Sequence, residues 1–121
     1  MKILVAHASN YDYKTELYEP LKQSVLAQKH TIIFPHDEEN KEIETNSHIP
    51  GTDFMIAEVS YPSTGAGIEI GLAQAANVRT VFLYRAGTVP TSSLKFVKGK
   101  VIEYTDSSDL ISKIEEEIAL S

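Results

Sequence analysis

Residues 54–76 most limit how this chain can fold. The apolar run Phe54-Met55-Ile56-Ala57 is followed by Tyr61-Pro62-Ser63-Thr64-Gly65-Ala66-Gly67-Ile68-Glu69-Ile70-Gly71, and then by Leu72-Ala73-Gln74-Ala75-Ala76. A short apolar run, a turn rich in Pro and Gly and an alanine-rich segment read as strand, glycine-rich turn, helix. Between Thr64 and Val78 the only ionisable side chain is Glu69. Its neighbours at helical spacing are Gly65, Ala66, Leu72, Ala73 and Ala76, none of which can pair with a carboxylate. A glutamate is seldom buried without a partner. Glu69 therefore faces a cleft or finds partners from another part of the chain, and in either case it is a candidate for chemistry.

The rest of the chain repeats the strand-then-helix pattern. Residues 3–6, 31–34, 53–59, 80–84 and 101–104 read as strands. Residues 13–28 read as a helix, with Leu17, Leu21 and Val25 at four-residue spacing, and Pro20 predicts a kink or a shortened first turn inside it. Residues 108–120 read as an amphipathic helix with Leu110, Ile111, Ile114 and Ile118 on one face and Asp106 or Ser107 as N-cap. Strands alternating with helices imply right-handed crossovers and a parallel sheet covered on both faces. The expected fold is a three-layer α/β sandwich around a five-stranded, mostly parallel sheet, in a single domain spanning 1–121. Residues 35–52 are long and polar, with Asp37-Glu38-Glu39 and Pro50-Gly51. A structureless loop of that length is uncommon, so a short helix is expected within it, serving as a flap near the site.

Composition removes several classes of function. The net charge of −6 disfavours a nucleic-acid polymer or an anionic membrane as partner. With no cysteine there is no disulfide and no thiolate metal site. The four histidines, His7, His30, His36 and His48, have no metal-ligand spacing, and no metal or cofactor is expected. His7 ends the first strand and can line a site, whereas His30, His36 and His48 read as surface residues. The segment Met1–His7 turns polar too soon for a signal peptide, and no apolar stretch is long enough to span a bilayer. The expected compartment is the cytoplasm.

In parallel sheets ligands bind beyond the carboxyl ends of the strands. There the segments 7–12, 60–69 and 85–93 should meet. Ser63 and Thr64 open the helix that carries Glu69, whose free N–H groups and positive dipole end favour an anion. Gly65 and Gly67 permit close approach to a ligand. Equally, Ser63 can be a simple N-cap and the glycines can merely shape a turn. The spacing G-x-G-x-x-x-G after the third strand is not the dinucleotide fingerprint, and no G-K-[ST] is present for a P-loop. A short helix is expected near residues 92–97, where Ser92 and Ser93 alone signal only capping. Asp37-Glu38-Glu39 reads as a solvated loop. Glu115-Glu116-Glu117 reads as the solvent face of the last helix, with Lys113 in reach of Glu117.

The string Ala57-Glu58-Val59-Ser60-Tyr61-Pro62-Ser63-Thr64-Gly65-Ala66-Gly67-Ile68-Glu69-Ile70-Gly71 resembles the nucleoside 2-deoxyribosyltransferase family. The resemblance is strongest to its 2'-deoxynucleoside 5'-monophosphate N-glycosidase branch, and it extends more weakly to Leu17-Tyr18-Glu19 and Leu83-Tyr84-Arg85. It implies a Rossmann- or flavodoxin-like fold. It implies that Glu69 is the catalytic nucleophile at the anomeric carbon and that Ser63 binds the 5'-phosphate. Ser93 would be a second phosphate ligand, supplied across a homodimer interface. His7 and Ser9, after the first strand, fall in the nucleotide-binding region with Gly65 and Gly67. At two positions the chain departs from the family. Thr45 stands where the glycosidases have an aspartate, with Glu44 beside it as a candidate acid, and His7 stands where they have a phosphate-binding serine. The deoxyribosyltransferases carry an acidic residue at the Ser63 position, so the hydroxyl here favours a monophosphate over a free nucleoside.

The expected function is hydrolysis, or transfer, at the N-glycosidic bond of a nucleoside 5'-monophosphate or related small molecule. The alternative is a catalytically weak nucleotide-binding or sensor protein of the same fold. A third reading is a structural domain whose partner surface is the acidic flap.

Overall fold

The computed structural model describes residues 1–40 and 43–120. Five strands form one sheet: β1 (Lys2–His7), β2 (Thr31–Ile33), β3 (Phe54–Glu58), β4 (Arg79–Arg85) and β5 (Lys100–Tyr104). Their order is β2-β1-β3-β4-β5, and every neighbouring pair is parallel. This is the flavodoxin-like order, in which the chain changes direction across the sheet between β1 and β3. In that register His7 lies opposite Glu58, so both strand ends open at the switch point.

Alternation along the strands builds two cores. Ile3, Val5, Phe54, Ile56, Val81 and Leu83 face one side and pack against the helices that follow β1 and β5. Leu4, Ala6, Met55, Ala57 and Phe82 face the other and meet Ile70 and Ala73 of helix α3 (Thr64–Ala75). Small residues on both surfaces let α3 lie close to the sheet.

The expected helix over 13–28 is broken into three pieces. A π-helical turn, Lys14–Tyr18, runs into α1 (Glu19–Gln23), and α2 (Val25–Lys29) follows. Pro20 has no N–H and its ring crowds the preceding turn. The Glu19 N–H accordingly reaches back to the Lys14 carbonyl, the wider π spacing. The actual break is at Ser24, whose backbone is extended and whose hydroxyl donates to the Leu21 carbonyl at 2.7 Å. The last helix, α4 (Ser107–Ala119), is capped by Asp106, which accepts from the Asp109 N–H at 2.9 Å.

The expected short helix in 35–52 is a 3-10 turn, Thr45–Ser47, that packs against α3. The one after β4 is a 3-10 turn, Ser92–Phe96, capped by Thr91. Among the described residues no helix is long and apolar enough to cross a membrane.

Two readings of charge and one of histidine are corrected by burial. Glu117 is buried, not on the solvent face, where it pairs with Lys100 at 3.1 Å and Arg79 at 3.5 Å. Lys113 turns the other way, to Asp109 at 3.1 Å and the Glu103 carbonyl at 2.7 Å. One turn of α4 rotates Glu117 towards the sheet edge, where the cations of β4 and β5 can reach it. His48 is buried within the 35–52 segment, and its Nε2 has no partner among the described residues. The acidic run is not wholly solvated either, since Asp37 pairs with Lys22 at 2.8 Å.

Candidate active site

Helix α3 positions the two residues singled out by the sequence. Ser63 is extended and caps it, its Oγ accepting the Ala66 N–H at 3.1 Å. A turn and a half further on, Glu69 is carried on the buried face with Ala66, Ile70 and Ala73. The residue is 6 % exposed, and its carboxyl has no hydrogen bond or ion pair among the described residues. Burial alone lifts its pKa from 4.5 to about 7. It lies within electrostatic reach of the Tyr18 phenol.

That phenol belongs to a cluster of rings gathered at the ends of β1 and β2. His7 is 2 % exposed. Its Nδ1 is 2.6 Å from the Ala8 carbonyl and its Nε2 is 2.6 Å from the Tyr18 hydroxyl. A carbonyl only accepts, so Nδ1 carries the proton and Nε2 accepts from Tyr18. The Tyr18 oxygen then accepts the His36 N–H at 3.1 Å. Burial holds the His7 pKa down near 4, opposed by the bond to the Ala8 carbonyl and helped to a lesser extent by the nearby His36, so the ring is neutral. His7 thus forms the floor of the site with both nitrogens engaged, while Ser9, two residues on, is exposed. Tyr13 stacks 4.6 Å from His7, the His36 ring lies 4.8 Å away, and Tyr11 and Tyr61 stack on each other at 4.8 Å. His36 is exposed as expected, yet it belongs to this aromatic wall.

The three expected segments do meet. Tyr11 touches Tyr61, and the Arg85 N–H donates to Ser60 Oγ at 2.8 Å. Beside α3 an apolar cleft of about 330 Å³ runs between Ser63, Ala66, Gly67 and Ile70 and the loop residues Val89, Thr91 and Leu94, with Glu58 and Tyr61 also in its lining. Glu69 does not line it. Ser93 is exposed, and its backbone N–H is held by Thr91 Oγ1 at 3.3 Å. It is not brought to Ser63 of the same chain by any hydrogen bond among the described residues. Glu44 is exposed just before the 45–47 turn, and the Thr45 side chain lies outside what is described. No cluster of metal-ligating residues exists among the described residues.

The sequence reading missed Glu58, Tyr104 and the tyrosine wall. Glu58 carried a usable signal: it is the only ionisable residue in the run Phe54–Val59. The tyrosines carried none, because nothing in their spacing shows that separate loops stack them together.

No protein-family model matches the chain. Among curated proteins it is 37% identical over 70 residues to "Putative 2'-deoxynucleoside 5'-phosphate N-hydrolase 1" of Syntrophotalea carbinolica. That match takes in 55% of this chain and 49% of the relative, so the chain spans about half the length of the curated relative it matches. Among solved structures it is similar to the Clostridium botulinum CMP N-glycosidase BcmB, with a TM-score of 0.70 over 95% of this chain and 99% of that one at 19% identity. The architecture is that of the nucleoside 2-deoxyribosyltransferase-like α/β proteins. The sequence likeness is to that one curated N-hydrolase, over about half of each chain.

Proposed function

We propose that the protein cleaves the N-glycosidic bond of a nucleoside 5'-monophosphate, with Glu69 as nucleophile. The observation that carries this reading is a buried carboxylate without a partner, a turn and a half from the open N-terminus of its own helix. Breaking the bond builds positive charge on the anomeric carbon, which an ionised Glu69 stabilises or captures. In the covalent version a Glu69 oxygen bonds to that carbon as the C–N pair leaves with the base, which takes up a proton. Water then cleaves the ester and returns the carboxylate, whereas an acceptor base in place of water would give transfer.

The phosphate is assigned to the first turn of α3, with Ser63, the Gly65 N–H and the exposed Ser9; the Gly67 N–H is taken by the Ser63 carbonyl at 3.0 Å, so Gly67 contributes only the absence of a side chain. The base is assigned to the wall of Tyr11, Tyr13, Tyr61 and His36, and His7 supports that wall as a neutral floor. Ser93 is assigned to the phosphate of a second subunit. Incubation with a panel of ribo- and deoxyribonucleoside monophosphates, followed by chromatography for free base, tests the reading. Release of a base from none of them removes it.

The second reading is a nucleotide-binding or sensor protein without turnover. It is favoured by Glu44, the proposed proton donor to the base, being exposed rather than held in the site. Saturable binding of a monophosphate with no base released over hours would select it.

A further inference from the structure

Outside the groups assigned above lies another buried carboxylate, Glu58 at the end of β3, which is 2 % exposed. It is not alone in the way Glu69 is. Its Oε1 accepts the Ser60 N–H at 2.7 Å, and its Oε2 accepts the Ser60 hydroxyl at 2.8 Å and the Tyr104 hydroxyl. The bond from the Ser60 hydroxyl fixes that group's direction. With its proton committed to Glu58, its lone pairs are left for the Arg85 N–H, which it accepts at 2.8 Å.

Position gives this arrangement a consequence. Ser60 begins the turn that delivers Ser63 to the cap of α3, and Arg85 begins the loop that delivers Ser93. One hydroxyl therefore sits at the root of both loops. The Arg85 side chain extends the same knot: it pairs with Glu16 at 3.3 Å, reaches the Thr105 carbonyl at 3.4 Å and lies over the Tyr104 ring at 5.2 Å. The ends of β3, β4 and β5 and the first helical turn are thus tied to one carboxylate. Charge-assisted bonds converging in a buried site are the strong ones, and they are costly to leave unmade.

We infer that Glu58 and Ser60 form a latch that sets the relative position of the two phosphate loops, 60–63 and 86–93. They are positioning residues for the phosphate end of the site. The inference rests on the reading under Proposed function for the word phosphate, but the latch itself is a property of the free protein.

Ser60→Ala removes the hydroxyl from the knot while leaving the Glu58 bond to the backbone N–H. Glu58→Gln keeps the shape but puts an amide NH2 donor where one carboxylate oxygen accepted. In native-state hydrogen exchange Ser60→Ala should speed exchange at position 60, Arg85, Ala86 and Thr88, whose N–H groups are bonded in the wild type, by about tenfold or more, with β1 amides unchanged. In turnover it should raise KM for the monophosphate about tenfold, change kcat less than threefold, and leave KM for the matching nucleoside unaltered. The double variant should lose no more than the worse single one, because the two residues act as a unit.

Unchanged exchange at those amides would overturn the latch. Faster exchange with an unaltered monophosphate KM, or an equal rise in KM for the nucleoside, would overturn the positioning role. If the wild-type protein cleaves no monophosphate, the proposed reaction fails, and the exchange measurement still decides the latch on its own. Should Glu58→Gln fail to fold, Tyr104→Phe removes one of the same bonds and is read by the same exchange.

Discussion

Glu69 and Glu58 are two buried carboxylates with opposite surroundings. Glu58 is surrounded by donors, whereas Glu69 has no hydrogen bond among the described residues and the Tyr18 phenol within electrostatic reach. Desolvation raises the Glu69 pKa from 4.5 to about 7, so the folded state holds a proton that the unfolded state releases. Between those values stability falls as pH rises, by roughly 3 kcal/mol at about 1.4 kcal/mol per unit. Glu69→Gln carries no such charge. The variant should therefore unfold at higher denaturant than wild type at pH 8 and show little difference at pH 4, which paired urea titrations would check. The same burial governs chemistry. A nucleophile must be ionised, so kcat/KM should climb with pH towards a plateau with its half-point near the Glu69 value of about 7. Glu69→Gln should abolish turnover while holding monophosphate binding within about 1.4 kcal/mol, tenfold in Kd. At the cap, Ser63→Asp would place a carboxylate against the phosphate. Calorimetry should show a much larger loss for the monophosphate than for the nucleoside, and an equal loss for both would mean that Ser63 does not read the phosphate.

At the scale of elements, α3 and β5 are set by close approaches. Gln74 near the end of α3 bonds both the carbonyl and the N–H of Lys98, at 2.7 and 2.9 Å, and so fixes the loop that enters β5. Gly99 in that loop has φ +143, and a Cβ there would stand 2.5 Å from the Phe82 ring and 2.6 Å from the Thr80 carbonyl. Neither the backbone angle nor the space admits a side chain. Gly99→Ala should cost on the order of 2–4 kcal/mol, the range of strained or overpacked sites, read as a shift in the thermal midpoint. The strands were legible from their apolar runs, within a residue or so at each end. The segment after β1 was not, because its four-residue spacing of leucines is shared by a continuous helix and by one that breaks. Pro20 marked the region of strain, but the break went to Ser24, whose hydroxyl offers the backbone an alternative bond.

For the molecule as a whole, the single chain leaves apolar surface uncovered beside the site. Ile68 on α3 is 55% exposed, Val89 is 89% and Phe96 is 79%. Val89 also lines the cleft next to Ser63. A second copy would cover such a surface, and two-fold pairing is the commonest arrangement. We propose a homodimer in which Ser93 of one subunit serves the site of Glu69 and Ser63 in the other. Inactive Glu69→Gln chains mixed with inactive Ser93→Asp chains should then recover part of the activity, since one of the two mixed sites carries neither change. A monomer by sedimentation at micromolar concentration, or no recovery despite proven subunit exchange, would exclude the arrangement. The amino-acid sequence by itself determined the order of strands and helices, the parallel sheet and the isolation of Glu69. Those follow from local periodicity and from the side chains within one turn of a helix. Only the tertiary structure decided that Glu58 is a knot, that His7 is locked neutral, that Glu117 is buried and that tyrosines from separate loops make one wall. Each of these depends on partners 11 to 50 residues away along the chain, such as His7 to Tyr18, Glu58 to Tyr104 and Tyr11 to Tyr61. Burial and hydrogen-bond direction are properties of the assembled fold, set when distant segments close over one another, and no short stretch of sequence contains them.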